Sequence, residues 1–214
     1  MTPSIPTRRR GREAVANQVV QTLGLAMALA GCVVLFNLSC RLSDSRLVAS
    51  LGLYGLSLLM MLGFSTVYHL KAETPNHRLY ECLDHIAIFI MIGGTYSPIA
   101  LGAIGGSLGL GLFLAIWTVT LGGVLIRLFR PQRFERHYLH LYLGLGWLFV
   151  PALFWLPTEG MVLIAAGGLV YTLGVPFHHL DRLRYHTAIW HGFVVVAAAL
   201  QYTAILRDVV LLRA

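Results

Sequence analysis

The sequence predicts an all-α integral membrane protein, a bundle of seven transmembrane helices. Three features carry that reading. There are seven apolar runs of spanning length, the chain is 57% hydrophobic and only 12% charged, and Lys and Arg gather in the short connections between runs. With a mean hydropathy of +0.73, a soluble fold of 214 residues could not enclose so much apolar surface.

The runs are Val19–Leu38, Leu47–Leu70, Asp84–Ile104, Leu108–Phe129, Tyr138–Leu156, Met161–His178 and Thr187–Leu206. Each falls near the ~17–25 residues that cross a hydrocarbon core as a helix. Arg8, Arg9, Arg10 and Arg12 precede the first run. A signal peptide also begins that way, but this run is long enough to span and lacks a convincing cleavage site, so it reads as a retained helix. The second run ends on Ser65-Thr66-Val67-Tyr68-His69. Pro98 in the third and Pro151 in the fifth are expected to kink their helices. Gly93, Gly94, Gly122 and Gly123 are small residues that allow close helix packing. Gly105-Gly106-Ser107 and Pro157-Thr158-Glu159-Gly160 are tight connections that leave room only for antiparallel neighbours. The expected organisation is a basic arm over 1–18, the seven-helix domain over 19–206 and a short tail over 207–214.

Twelve of the 16 Lys and Arg residues fall in the arm and in loops 71–78, 127–136 and 182–184, which lie on one side; four fall on the other. This bias predicts a cytoplasmic N-terminus and an external C-terminus. It gives the net charge of +7 a topological meaning, so no nucleic-acid face is expected. Cys32, Cys40 and Cys82 have neither paired nor metal-ligand spacing, and no disulfide framework is implied.

All nine histidines fall toward the side predicted to be cytoplasmic. His77, His137, His140, His178 and His179 sit in loops or at helix ends, where histidine needs no special reason. Ser65, His69, Asp84 and His191, with His186 beside it, differ from these. They lie just inside predicted spans, at matching depth, on the second, third and seventh helices. Ser65 and His69 are four residues apart, so they share a helix face, about 40° apart. Polar groups at that depth are costly and usually have a partner or a task.

Imidazoles from separate helices together with a carboxylate suit Zn²⁺, which in catalytic sites also keeps a position for water. Water on the ion becomes a nucleophile near neutral pH. A carboxylate can take its proton, and a hydroxyl can steady the oxyanion. On this reading His69 and His191 are ligands, Asp84 is the base or a water-orienting group, and Ser65 is the oxyanion donor. The rival reading of the same spacing is a polar network that only ties helices together.

Taken in order, Ser65-x-x-x-His69, Asp84-His85, Gly94-Thr95-Tyr96-Ser97-Pro98 and Ala188-Ile189-Trp190-His191-Gly192-Phe193-Val194 resemble the motif series of the hemolysin III family. That family is the bacterial branch of the progestin and adiponectin receptor superfamily. Glu13-Ala14-Val15-Ala16-Asn17 resembles its amino-terminal motif, and the resemblance spans essentially the whole chain. It implies a seven-helix bundle in a bacterial inner membrane, with zinc held near the cytoplasmic side by three histidines and the Asp and Ser close by. Because the superfamily includes alkaline ceramidases, the implied chemistry is zinc-dependent hydrolysis of an amide or ester bond in a membrane lipid, with a role in lipid homeostasis. The alternatives are a non-enzymatic sensor or regulator with a structural metal site, and a cytolytic activity.

The chain departs from the family pattern in places. The family's last helix carries His-x-x-x-His, and here the first position is Thr187. His186 lies five residues before His191, about 140° round an ideal helix. It reaches the metal only if the helix starts after it or a bulge shifts the register; Asp84 is the other candidate third ligand. Gln21 and Gln201 stand where many relatives have histidine.

Overall fold

The computed structural model describes residues 7–180 and 182–212, and every regular element among them is helical. The helices are α1 (Thr7–Ser39), α2 (Ser45–Leu70), α3 (His77–Pro98), α4 (Gly106–Phe129), α5 (Pro131–Leu148), α6 (Thr158–His179) and α7 (His186–Ala204). Three of them run on in altered form. α3 continues as a π-helix over Ile99–Ile104, α5 as a 3₁₀-helix over Val150–Trp155, and α7 as a π-helix over Ile205–Leu211. With these extensions there are seven helices long and apolar enough to cross a membrane, and the chain is an integral membrane protein.

Each helix packs on the next, and α1 also packs on α7, so the seven close into a ring. The outward faces carry Leu23, Val33, Phe36, Leu121, Leu125 and Leu169, all exposed. In lipid such rows need no cover, and helices are held instead by close packing and interhelical hydrogen bonds. Tyr202 donates to the Gly31 carbonyl at 2.8 Å, Tyr96 to that of Gly146 at 2.8 Å, and Tyr142 to that of His85 at 2.9 Å. These bonds tie α7 to α1 and α3 to α5.

The element ends follow from local chemistry. Asp44 caps α2 by accepting from the backbone N–H groups of Arg46 and Leu47 at 2.9 and 3.3 Å, two of the donors a helix start leaves without partners. α3 begins at His77, seven residues before the apolar run at Asp84, because His77-Arg78-Leu79-Tyr80-Glu81 is helix-forming although polar. Pro98 supplies no N–H to the α ladder, and the helix widens after it. The last π turn closes with Gly105 N–H donating to the Ala100 carbonyl at 3.0 Å. Gly105 and Gly106 then take φ of 67° and 58°, which only glycine adopts freely, and the chain reverses into α4. Pro151 sits within the 3₁₀ turn that follows α5.

The basic arm expected over 1–18 is helical from Thr7, and its first six residues lie outside the described ones. Of the tail expected over 207–214, residues through Leu211 extend α7, while Arg213 and Ala214 lie outside the described residues. Arg127, grouped by sequence with the α4–α5 loop, lies within the last turn of α4 and is buried. The charge count groups it with the loop because it is the first of four arginines there, although it lies inside the apolar run Leu108–Phe129 and the helix keeps it in its last turn.

The four glycines behave differently. A side chain at Gly94 would overlap Ser57 of α2, and one at Gly123 would overlap the buried Phe89 ring of α3. Gly93 faces Thr120 of α4, whereas nothing lies within 4 Å of a side chain built at Gly122. Gly94→Ala and Gly123→Ala are therefore expected to destabilise the bundle by about 1–3 kcal/mol each through overpacking. Gly122→Ala should leave it unchanged or slightly firmer, and thermal unfolding of the three variants in detergent measures the difference.

Candidate functional site

α1 is wedged between α2 and α7, and these three helices bring polar side chains to one level. Asn17 and Gln21 lie one turn apart on α1, Ser65 and His69 one turn apart on α2, and His191 five residues into α7. Asn17, Gln21, Ser65 and His191 are buried.

The protonation of both imidazoles follows from their partners. His191 Nδ1 lies 2.7 Å from Asn17 Oδ1. That oxygen only accepts, so Nδ1 carries the proton and Nε2 presents a lone pair. Nε2 in turn faces Gln21 Nε2 and Ser65 Oγ, each at 3.2 Å. His69 Nδ1 lies 2.9 Å from the Ser65 backbone carbonyl, which also only accepts, so this nitrogen is protonated too. Gln21 Nε2 stands 3.1 Å from His69 Nδ1 and 3.4 Å from Ser65 Oγ. One amide nitrogen thus touches Ser65, His69 and His191 at once.

One proton assignment satisfies the other contacts and leaves two close approaches without a hydrogen bond, Gln21 Nε2 to His69 Nδ1 (both donors) and Ser65 Oγ to His191 Nε2 (both acceptors). Gln21 donates to His191 Nε2 and to Ser65 Oγ, His191 donates to Asn17, and His69 donates to the Ser65 carbonyl. The Ser65 hydroxyl proton is left for the Asp84 carboxylate, which lies two turns into α3 and faces it.

Two cavities meet at the cluster. One, of about 170 Å³, runs inside the bundle between apolar side chains such as Met61, Ile92 and Ile164, with Ser65, Asp84 and His191 at its polar end. The other, of about 250 Å³, lies toward the α2–α3 and α6–α7 connections and is lined by Glu13, Asn17, His69 and His186. Gln21 borders both.

The implied zinc can be tested against these side chains. The two imidazole centroids are 4.8 Å apart with planes at 87°, close enough for one ion to bridge. The remaining requirements are not met. α7 begins at His186 with Tyr185 as its cap in the left-handed region, and Ile189 N–H donates regularly to the Tyr185 carbonyl at 2.9 Å. His186 is therefore turned away from His191, with its Nε2 3.4 Å from Thr187 Oγ1. Among the described residues no three His, Cys, Asp or Glu side chains are grouped to hold a metal ion. The His69 nitrogen at the centre carries a proton, and an amide occupies the space beside it. A three-ligand zinc does not fit the residues as they stand.

A second polar tie lies nearby on α3. Buried Arg127 donates from Nε to His85 Nδ1 at 3.1 Å and pairs with Glu81 at 3.9 Å. Asn17 and Gln21 are the members of the cluster that sequence reasoning did not place in the site. Their one signal is spacing: Asn17 just before the first apolar run and Gln21 just inside it lie four apart, as Ser65 and His69 do. Asn17→Ala removes the side-chain acceptor of His191 Nδ1–H and leaves it the Thr187 backbone carbonyl of its own helix, at a cost of about 0.5–1.5 kcal/mol. Asn37→Ala removes only a bond to the same-helix Val33 carbonyl at an exposed position and should cost far less, as thermal unfolding in detergent would register.

Comparison with known proteins agrees with this architecture. Residues 12–202 match the family described as Haemolysin-III related. The "Hemolysin-3 homolog" of Bacillus subtilis (strain 168) is 30% identical over 199 residues, covering 91% of this chain and 93% of the relative. "Hemolysin-3" of Bacillus cereus is also 30% identical over 199 residues, 91% of each chain. The human "Monocyte to macrophage differentiation factor" is 30% identical over 203 residues, 90% of this chain and 83% of that protein, which extends the similarity to the wider superfamily. The ring of seven spanning helices and a match over nearly its full length together show that the chain belongs to the haemolysin-III related family of membrane proteins.

Proposed function

We propose that the chain is a membrane-embedded lipid-binding protein of the sensory or regulatory kind, which takes one acyl chain into its bundle and meets the lipid's polar end at Ser65, Asp84 and His191. The observation that carries this reading is the junction of an apolar-walled cavity with a hydrogen-bonded polar cluster that joins α1, α2 and α7. Ligand sites have this construction, apolar walls with a few convergent polar groups. The excess of Lys and Arg at the end bearing the polar cavity supports placing that end in the cytoplasm, and the family supports a bacterial inner membrane.

Hydrolysis of a lipid amide or ester is the second reading, and one observation favours it. Ser65 Oγ lies 3.2 Å from His191 Nε2, and His191 Nδ1 is held by Asn17 at 2.7 Å. That is the order of nucleophile, base and orienting acceptor, set between an apolar cavity and a polar one. Zinc-dependent hydrolysis asks more of the site, a third ligand and a centre cleared of the Gln21 amide. Cytolysis enters only through the names of the Bacillus relatives.

The test uses the full chain in liposomes with trace phospholipid carrying a photoreactive diazirine on its acyl chain. Binding predicts labelling at Met61, Ile92 or Ile164, lowered several-fold in Ala165→Trp, which fills the same cavity, with no release of fatty acid. Release that Ser65→Ala abolishes would replace the binding reading with hydrolysis. Labelling confined to outward residues such as Leu121 and Leu169 would overturn both.

A further inference from the structure

We infer that the side-chain amide of Gln21 takes the place of a cation at the centre of the cluster, so that this chain closes Ser65 and His191, with His69 alongside, around an organic donor instead of a metal ion. The inference holds whether the lipid is cleaved or only held, so it stands apart from the reading above.

The contact distances carry the first part of the argument. Gln21 Nε2 lies 3.1 Å from His69 Nδ1, 3.2 Å from His191 Nε2 and 3.4 Å from Ser65 Oγ. Zinc bonds a histidine nitrogen at about 2.0–2.1 Å, so an ion that reached His191 Nε2 from the centre would overlap the amide nitrogen. The two occupants exclude each other. The amide also performs the same electrostatic task toward His191, placing positive hydrogen charge against the one lone pair the cluster turns inward.

The proton inventory carries the second part. A ligand nitrogen must be free of its proton. His69 offers the centre Nδ1–H, committed to the Ser65 carbonyl at 2.9 Å, so only one of the two imidazoles presents a lone pair there. Gln21 has two amide hydrogens and, in this arrangement, two acceptors, His191 Nε2 and Ser65 Oγ. Both amide hydrogens are thus spent on the acceptors that the centre offers.

Burial and register carry the third part. Gln21 is 3% exposed, so swinging it aside would give up its bonds to His191 Nε2 and Ser65 Oγ inside a packed bundle. The α7 position on the same face as His191, one turn earlier, is Thr187, and His186 beside it begins a regular helix. The helix cannot bring that imidazole round to the centre without changing its register.

Zinc content of the full chain decides the matter. The protein is produced with ample zinc, purified in detergent through a tag without histidine, and measured by plasma mass spectrometry. Wild type should carry far less than one zinc per chain, and its Tm should be unmoved by chelator or added zinc, because a ligand of the folded state alone would raise it. The double variant Gln21→His with Thr187→His removes the amide and adds a ligand one turn before His191. It should bind one zinc per chain and gain about 5 °C or more in saturating zinc. Stoichiometric zinc in wild type, or a wild-type Tm lowered by chelator, would overturn the inference even if the double variant failed to fold.

Discussion

His191 on α7 donates to Asn17 on α1 and accepts from Gln21 one turn along the same helix, and Gln21 reaches Ser65 on α2. The rest of the bundle depends on this contact. In lipid, turning an apolar face inward gains little over leaving it among acyl chains, so association rests on close packing and on polar groups that must find partners away from water. Three helices meet here through side chains with little other means of satisfaction. α1 is otherwise largely lipid-facing, with Leu23, Met27, Val33 and Phe36 outward. The amides of Asn17 and Gln21 fix its rotation and its depth.

The other constraints reinforce that frame. Glycines at 94 and 123 let α3 approach α2 and α4 more closely than any side chain would permit. Arg127 ties α4 to α3 by pairing with His85 and Glu81, a charge kept within a span because its donors are used. At the opposite end Arg207 pairs with Glu159, linking the final turns of α7 to the start of α6. Pro98 converts the buried end of α3 to a wider helix, and the glycine pair after it completes the turn. The ion pairs and the reworked end of α3 give polar groups within the spans their partners, while the glycines serve close packing.

Function follows from where the central contact sits. It separates an apolar cavity from a polar one, and Gln21 borders both. A lipid entering the first would present its polar linkage to Ser65 and Asp84, and groups reaching the second would arrive at His69 and Glu13. Two imidazoles, a hydroxyl and a carboxylate at such a boundary can bind a lipid headgroup linkage or, with a free lone pair to take the hydroxyl proton, attack it. The amide in the middle weights that balance toward holding, because it occupies the lone pair a general base would use.

Much of this was legible in the chain itself. Apolar run length and the clustering of Arg and Lys determine seven helices, and their motifs determine the family. Ser65, His69, Asp84 and His191 stand out because polar residues inside apolar runs are few. Hydropathy could not see that α3 starts at His77, since a helix does not end where its apolar content does, nor that Arg127 points inward. It also could not show Gln21 among the functional side chains, because a glutamine within an apolar run looks the same whether it faces lipid, a neighbour or a site. Only the tertiary structure decided that, by closing α1 onto α7. Interhelical geometry sets which atoms share a centre, and local sequence records residue types and spacing along one helix but not the rotation of one helix against another.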